Sequence, residues 1–154
     1  MIVTDQKLVS FYVGEKIYGI DLMYVQEFIE NIECTELPEV LNYITGVVNL
    51  RGRIITVADM GLIFENQRCQ SKRLLMVMRN NFNKHKKSQK GAIAFLVDDN
   101  GPIIQAMEDD FVELPDFNDN DSSHLCSHAI KTEKRMLSVI DPEKLFEVLL
   151  DDDE

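Results

Sequence analysis

The chain has 154 residues, of which 45% are hydrophobic and 28% charged, a composition that supports a buried core and excludes global disorder. Its net charge of −11 and pI near 4.7 repel phosphate backbones and anionic membrane surfaces, so nucleic acid is not expected as a partner. No apolar run reaches membrane-spanning length, so direct membrane insertion is not expected either.

Leu8 to Val13 alternates as a strand with Val9, Phe11 and Val13 on one face. Gly14-Glu15-Lys16 supplies a turn, and Ile17 to Ile20 returns. Asp21 is a fair N-cap for a short helix carrying Leu22 and Val25 on one side. Glu27-Phe28-Ile29 extends again, and Pro38 punctuates the chain before Gly46. The clearest hairpin follows: Val47-Val48 leads in, Arg51-Gly52 reverses, and Ile54 to Val57 leads out. Asp59 caps a short helix through Leu62, Ile63 and Phe64. Leu74 to Met78 and Ala92 to Val97 read as apolar strands around a long, Lys-rich exposed loop from Arg79 to Lys90. Asp98-Asp99-Asn100-Gly101 reads as a β-turn, Ile103-Ile104 as strand, and Leu114 to Ser123 as polar loop. Arg135 to Ile140 is a last strand. Asp141-Pro142 then starts a helix whose buried side is Leu145, Phe146, Leu149 and Leu150. Many short strands, closely spaced turns and short helices predict a mainly β fold of small barrels or a sandwich. No internal repeat is visible at the residue level.

Catalytic constellations are scarce. There is no phosphate-cradling glycine loop and no nucleophile elbow, so no cofactor is expected and the chain reads as non-enzymatic. Cys34, Cys69 and Cys126 are odd in number and widely spaced, which fits reduced thiols rather than a disulfide framework. With no basic-plus-apolar leader segment, a cytoplasmic location is expected. One alternative rests on His124, Cys126 and His128, whose i, i+2, i+4 spacing would converge on one strand face and could hold zinc, as in a metal-binding protein or metalloenzyme.

A resemblance supplies the main functional reading. Asp21 to Glu27 followed by Gly46-Val47-Val48-Asn49-Leu50-Arg51-Gly52 resembles the CheW family of chemotaxis coupling proteins. Tyr18-Gly19-Ile20-Asp21, Arg53 to Asp59, Phe95-Leu96-Val97-Asp98 and Arg135 to Asp141 also fit, so the likeness spans nearly the whole chain. The chain departs from the family pattern at Ala94, at Asn100-Gly101-Pro102, at Ser127 and in the longer loop after Met78.

The resemblance implies two interleaved five-stranded SH3-like β-barrel subdomains with short helices around a shared apolar core. They would form a single CheW-like domain over residues 6–150, with an acidic tail at 151–154. It implies an adapter that couples methyl-accepting chemotaxis receptors, at their cytoplasmic tip, to the regulatory domain of a CheA-type histidine kinase. Such an adapter would be recruited to receptor clusters at the inner face of the membrane. The same fold would also serve a coupler in a non-chemotaxis pathway of motility or development.

The matching positions imply partner binding at Leu22, Val25, Glu27, Gly46, Asn49, Arg51 and Gly52, with Leu96 and Val97 lining the facing side of a groove. Arg51 would grip carboxylates or carbonyls of a partner helix through its planar fork. An internal ion pair or a turn role for Arg51, core packing for Val25, and structural roles for Asn49 and Gly46 are the competing readings of the same residues.

Overall fold

The computed structural model describes residues 6–36, 43–70, 74–79, 92–113, 125–132 and 135–150. Among these residues the fold is mainly β, with two mixed six-stranded sheets and two short helices. The chain opens with β1 (Gln6–Val13) and β2 (Lys16–Asp21), then a single 3-10 turn (Leu22–Tyr24). It continues through β3 (Val25–Glu30), β4 (Thr35–Glu36), β5 (Ile44–Leu50), β6 (Arg53–Asp59), α1 (Met60–Phe64), β7 (Leu74–Met78) and β8 (Ile93–Leu96). Last come β9 (Asp99–Ala106), β10 (Phe111–Val112), β11 (Cys126–Lys131), β12 (Met136–Ile140) and α2 (Pro142–Leu150).

The first sheet runs β10-β11-β12-β2-β1-β9 and the second β3-β7-β8-β6-β5-β4. The chain thus starts in one sheet, builds the other, and returns, so the two are interleaved. Each sheet has five longer strands plus one of two residues, β10 or β4, where the resemblance implied five. Strands that short carry no period in the sequence, which is why neither was legible.

The two sheets share one topology. Read from β4 and from β10, each begins with an antiparallel hairpin (β5–β6, β11–β12). Each then places a parallel neighbour beside it (β8, β2) and adds two antiparallel strands (β7 then β3, β1 then β9). A helix capped by aspartate follows each hairpin: Val57-Ala58-Asp59 leads into α1 and Val139-Ile140-Asp141 into α2. The fold therefore contains a repeat that the sequence conceals, with the N-terminal hairpin completing the C-terminal copy.

Both sheets must curl. The outermost strands β3 and β4 follow one another through residues 31–34, and β9 and β10 through residues 107–110. Five Cα steps reach at most about 18 Å, whereas a flat six-stranded sheet places its edges about 24 Å apart. The edges therefore approach each other, and each sheet bends toward a barrel.

The larger core cluster takes side chains from both sheets and α2, including Val9, Phe11, Ile20, Val57, Met76, Phe95, Leu145 and Phe146. Val9, Phe11 and Val13 share this face as their alternation predicts, while Leu8 turns to a smaller cluster with Ile17, Ala106, Ile130, Leu137 and Val139. Asp99-Asn100-Gly101, read from the sequence as a turn, lies in β9. Gly101 is needed there because a Cβ would strike Ser10 Oγ, which donates to the Pro102 carbonyl at a bulge in β9, where Gly101 and Pro102 oppose Ser10. The polar stretch 114–124, residues 80–91 of the Lys-rich loop and the acidic tail lie outside the described residues.

Candidate functional site

The β5–β6 hairpin ends in a two-residue turn in which both Arg51 (φ 52°) and Gly52 (φ 85°) are left-handed. That pair of positive φ angles defines a type I′ turn, whose twist matches the flanking strands. Glycine takes it freely, and arginine only at a cost. Asn49 supports the turn, its Oδ1 accepting from the Gly52 amide at 3.0 Å. The strained backbone lifts the Arg51 side chain off the sheet and across to β3. Its Nη1 and Nη2 donate to Oε2 and Oε1 of Glu27 at 3.0 and 3.1 Å.

Glu27 is aimed at this meeting by a β-bulge. The register of β3 on β7 slips between Val25 and Glu27, leaving Gln26 unpaired. The Gln26 amide then donates to Glu27 Oε2 at 3.0 Å. The Arg51 hydrogen bonds first, and Gln26 second, hold the Glu27 carboxyl below its ordinary value, and the same pairing raises Arg51. The pair joins one edge strand of the sheet to the hairpin near the other edge, consistent with the curl. The Arg51 side chain remains 65% exposed and that of Glu27 28%, so further acceptors and donors can still reach the fork.

The segments that carry this pair also hold exposed apolar side chains that the sequence reading did not single out. Met23 in the 3-10 turn before β3 and Ile54 at the start of β6 are 67% and 62% exposed. The signal for Ile54 was present: Ile54 and Ile55 are adjacent in a strand, so only one of them can enter the core, and Ile55 does. The turn is held by Asp21, whose Oδ1 accepts from the Met23 amide at 2.8 Å, and by Arg79, whose Nε donates to the Val25 carbonyl at 3.0 Å. The element is thus a single 3-10 turn capped by Asp21, and Leu22 in it is half-buried against the larger core.

Other expected site residues sit elsewhere. Val25 is 4% exposed, Leu96 7% and Val97 0%. All three belong to the core, so Leu96 and Val97 do not line an open groove. Their continuous apolar run is that of a strand buried on both faces. Gly46 is buried, and a Cβ there would collide with the Thr35 carbonyl and Cys34 Sγ, so glycine is what allows β4 to pair with β5.

The expected convergence of His124, Cys126 and His128 is broken by a second bulge. The register of β11 on β12 slips between Cys126 and His128. Cys126 enters the larger core while His128 packs on Phe111 beside the smaller one, and His124 lies outside the described residues. Among the described residues no group of three His, Cys, Asp or Glu side chains is placed to hold a metal ion.

The equivalent hairpin of the other sheet, β11–β12, borders a groove of about 700 Å³ lined by Tyr12, Ile17, Ile104, Ile130 and Arg135. Arg135 stacks over the Tyr12 ring at 5.8 Å. Each sheet thus presents an arginine at or beside its hairpin end with apolar surface near it.

Comparison with known proteins agrees with this architecture. A chemotaxis protein CheW of Klebsiella aerogenes is 26% identical over 141 residues, covering 92% of this chain and 81% of that protein. The chemotaxis protein CheW of Thermotoga maritima is 26% identical over 147 residues, covering 92% and 87%. The crystal structure of the scaffolding protein TtCheW from Thermoanaerobacter tengcongensis superposes with a TM-score of 0.70 at 26% identity, covering 88% of each chain. With the CheW-like domain model matching residues 7–149, this chain belongs to the CheW-like domain family.

Proposed function

We propose that the protein is a non-enzymatic adapter that couples chemotaxis receptors, through their cytoplasmic tips, to the regulatory domain of a CheA-type histidine kinase. It would work in the cytoplasm, at receptor clusters on the inner face of the membrane. The observation that carries the reading is the Arg51 fork: a cationic, planar donor held outward by a strained turn and oriented by Glu27, with Met23 and Ile54 exposed on the segments that carry the pair. Apolar anchors beside an oriented arginine suit docking of a partner surface, where a few such residues supply most of the binding energy. Membership of the CheW-like family and the chemotaxis names of the relatives support the same reading. Of the expected contact residues, Leu22, Glu27, Asn49, Arg51 and Gly52 remain in the proposed surface. Val25, Gly46, Leu96 and Val97 act from beneath it by fixing the strands.

The test is binding of the purified chain to a receptor cytoplasmic fragment and to the kinase regulatory domain, with parent and Arg51→Ala proteins. The parent is expected to bind both, and Arg51→Ala to lose about tenfold or more for at least one while its circular dichroism is unchanged. A folded Arg51→Ala that binds both like the parent removes Arg51 from the interface. A parent that binds neither overturns the coupling function itself.

A further inference from the structure

His128 is the only residue among those described with a buried side-chain nitrogen or oxygen that lacks a hydrogen-bond partner: its Nε2 is closed to solvent and unpaired. The other ring nitrogen, Nδ1, lies 2.8 Å from Ser127 Oγ. With the proton on Nδ1 and donated to that hydroxyl, Nε2 keeps a bare lone pair, the less costly way to bury it. The ring rests on Phe111, centroids 4.6 Å apart and planes tilted by 57°. Phe111 is half of β10, an end strand of its sheet, held by only two register pairs, Phe111↔Ile130 and Val112↔Ala129.

A proton on Nε2 adds a donor with no acceptor and a full positive charge inside apolar packing. Among the described residues nothing on the neighbouring strands compensates it. The strands packed against the ring, β10 and β12, carry no titratable side chain. On β11 itself, Cys126 points into the larger core and Lys131 is exposed at an odd spacing from His128, on the opposite face. The carboxylates flanking β10 are Asp110, whose Oδ2 is occupied by the Met107 amide at 2.9 Å, and exposed Glu113. Burial pushes the imidazole's value down.

We propose that His128 is an acid-released latch on β10: on gaining a proton the imidazole leaves Phe111 for solvent, and the end strand loosens from the sheet. The folded imidazole takes its proton less readily than the free one. The latch is therefore fully closed above the ordinary histidine value and weakens as pH falls through it toward the folded value. Opening of β10 grows by up to about tenfold per pH unit across that window.

The test is a nuclear magnetic resonance titration of the whole chain from about pH 7.5 to about pH 5.5, spanning the ordinary imidazole value. It combines the assigned His128 ring signal with amide-exchange protection factors in β10 and in the β5–β6 hairpin. The expected result has three parts. His128 titrates below the ordinary value. Protection in β10 falls about tenfold across the window while that of β5–β6 holds. The fall disappears in His128→Phe, which keeps a ring against Phe111 without the nitrogen. Titration of His128 at or above the ordinary value overturns the proposal. So does β10 protection that ignores pH, or a fall that survives in His128→Phe.

Discussion

Arg51 separates stability from recognition at a single position. A non-glycine residue in the left-handed region costs about 1–2 kcal/mol, and the exposed ion pair with Glu27 returns little of it. Asparagine tolerates that conformation and, with glycine after it, forms the favoured I′ pair. Arg51→Asn is therefore expected to melt at or slightly above the parent temperature while losing partner affinity. Calorimetry beside a binding measurement checks both halves, and a variant that loses stability and affinity together would instead make the arginine structural. At Gly52, where φ is 85°, Gly52→Val should cost about 1–2 kcal/mol by chemical denaturation because the branched side chain cannot relax there. The pair also predicts a titration. Glu27 is held below the ordinary carboxylate value first by Arg51 and then by Gln26. Its favourable contribution is present above the unfolded value and lost as pH falls through the folded one. A carboxyl-detected titration should find Glu27 low in the parent and moved upward in Arg51→Ala. An unmoved value would mean that the fork seen here does not persist in solution.

At the scale of elements, the two aspartate-capped helices let burial be compared with exposure. Asp59 is 2% exposed, and its Oδ1 accepts from the Gly61 amide at 2.8 Å and the Cys69 amide at 3.2 Å, tying α1 to the segment before β7. Burial first, and then the Asp59 charge, push the Cys69 thiol up, so it stays neutral and donates to the Leu96 carbonyl at 3.3 Å. Asp59→Ala strands two buried amides and loses a cap, so it is expected to cost about 2–4 kcal/mol. Asp141 does the same capping for α2 at a more exposed site, accepting from Glu143 at 3.0 Å, and Asp141→Ala should cost about 1 kcal/mol. Urea midpoints of the two variants measure the difference. Equal losses would show that burial adds nothing to the Asp59 cap. Both helices were legible because an N-cap is a local signal, as was the Arg51-Gly52 reversal. The bulges at Gln26 and Ser127 were not legible, because register is set by the partner strand and not by the strand's own period. That is why Glu27 could be named as a site residue while its aim at Arg51 could not be read. It is also why His124, Cys126 and His128 looked convergent: strict alternation holds only in an unbulged strand. Leu96 and Val97 were misplaced for a related reason. An apolar run does not say which of its faces is covered, and here both are.

For the whole molecule, the question is whether two similar curled sheets unfold as one. Their shared topology would allow two independent units, as in repeat proteins whose copies touch only at a border. The core is not divided that way. Phe11 of β1, in one sheet, and Phe95 of β8, in the other, are both 0% exposed and belong to the same cluster. Leu145, Phe146 and Leu149 of α2 join it from the chain's last element. The interleaved chain order adds a second constraint, since the first hairpin completes a sheet whose other strands come after the whole of the second sheet. Separating the sheets would expose the face each turns to the other and break the larger cluster, leaving the first sheet only its smaller one. Phe11→Ala and Phe95→Ala are each expected to cost about 3–5 kcal/mol. Each should also shift one common transition, seen at the same midpoint by far-ultraviolet dichroism and by tyrosine fluorescence. Of the four tyrosines, Tyr12 and Tyr18 lie in the first sheet, so the fluorescence is read in a Tyr24→Phe/Tyr43→Phe background, where it reports that sheet. If Phe95→Ala lowers the dichroism midpoint and leaves the tyrosine signal at its parental value, the sheets unfold separately and the single cooperative unit is refuted. If both signals move together for both variants, the repeat is a feature of topology alone and the adapter behaves as one rigid body. A rigid body is what a scaffold needs if a contact at the Arg51 tip is to have a defined orientation relative to the opposite sheet.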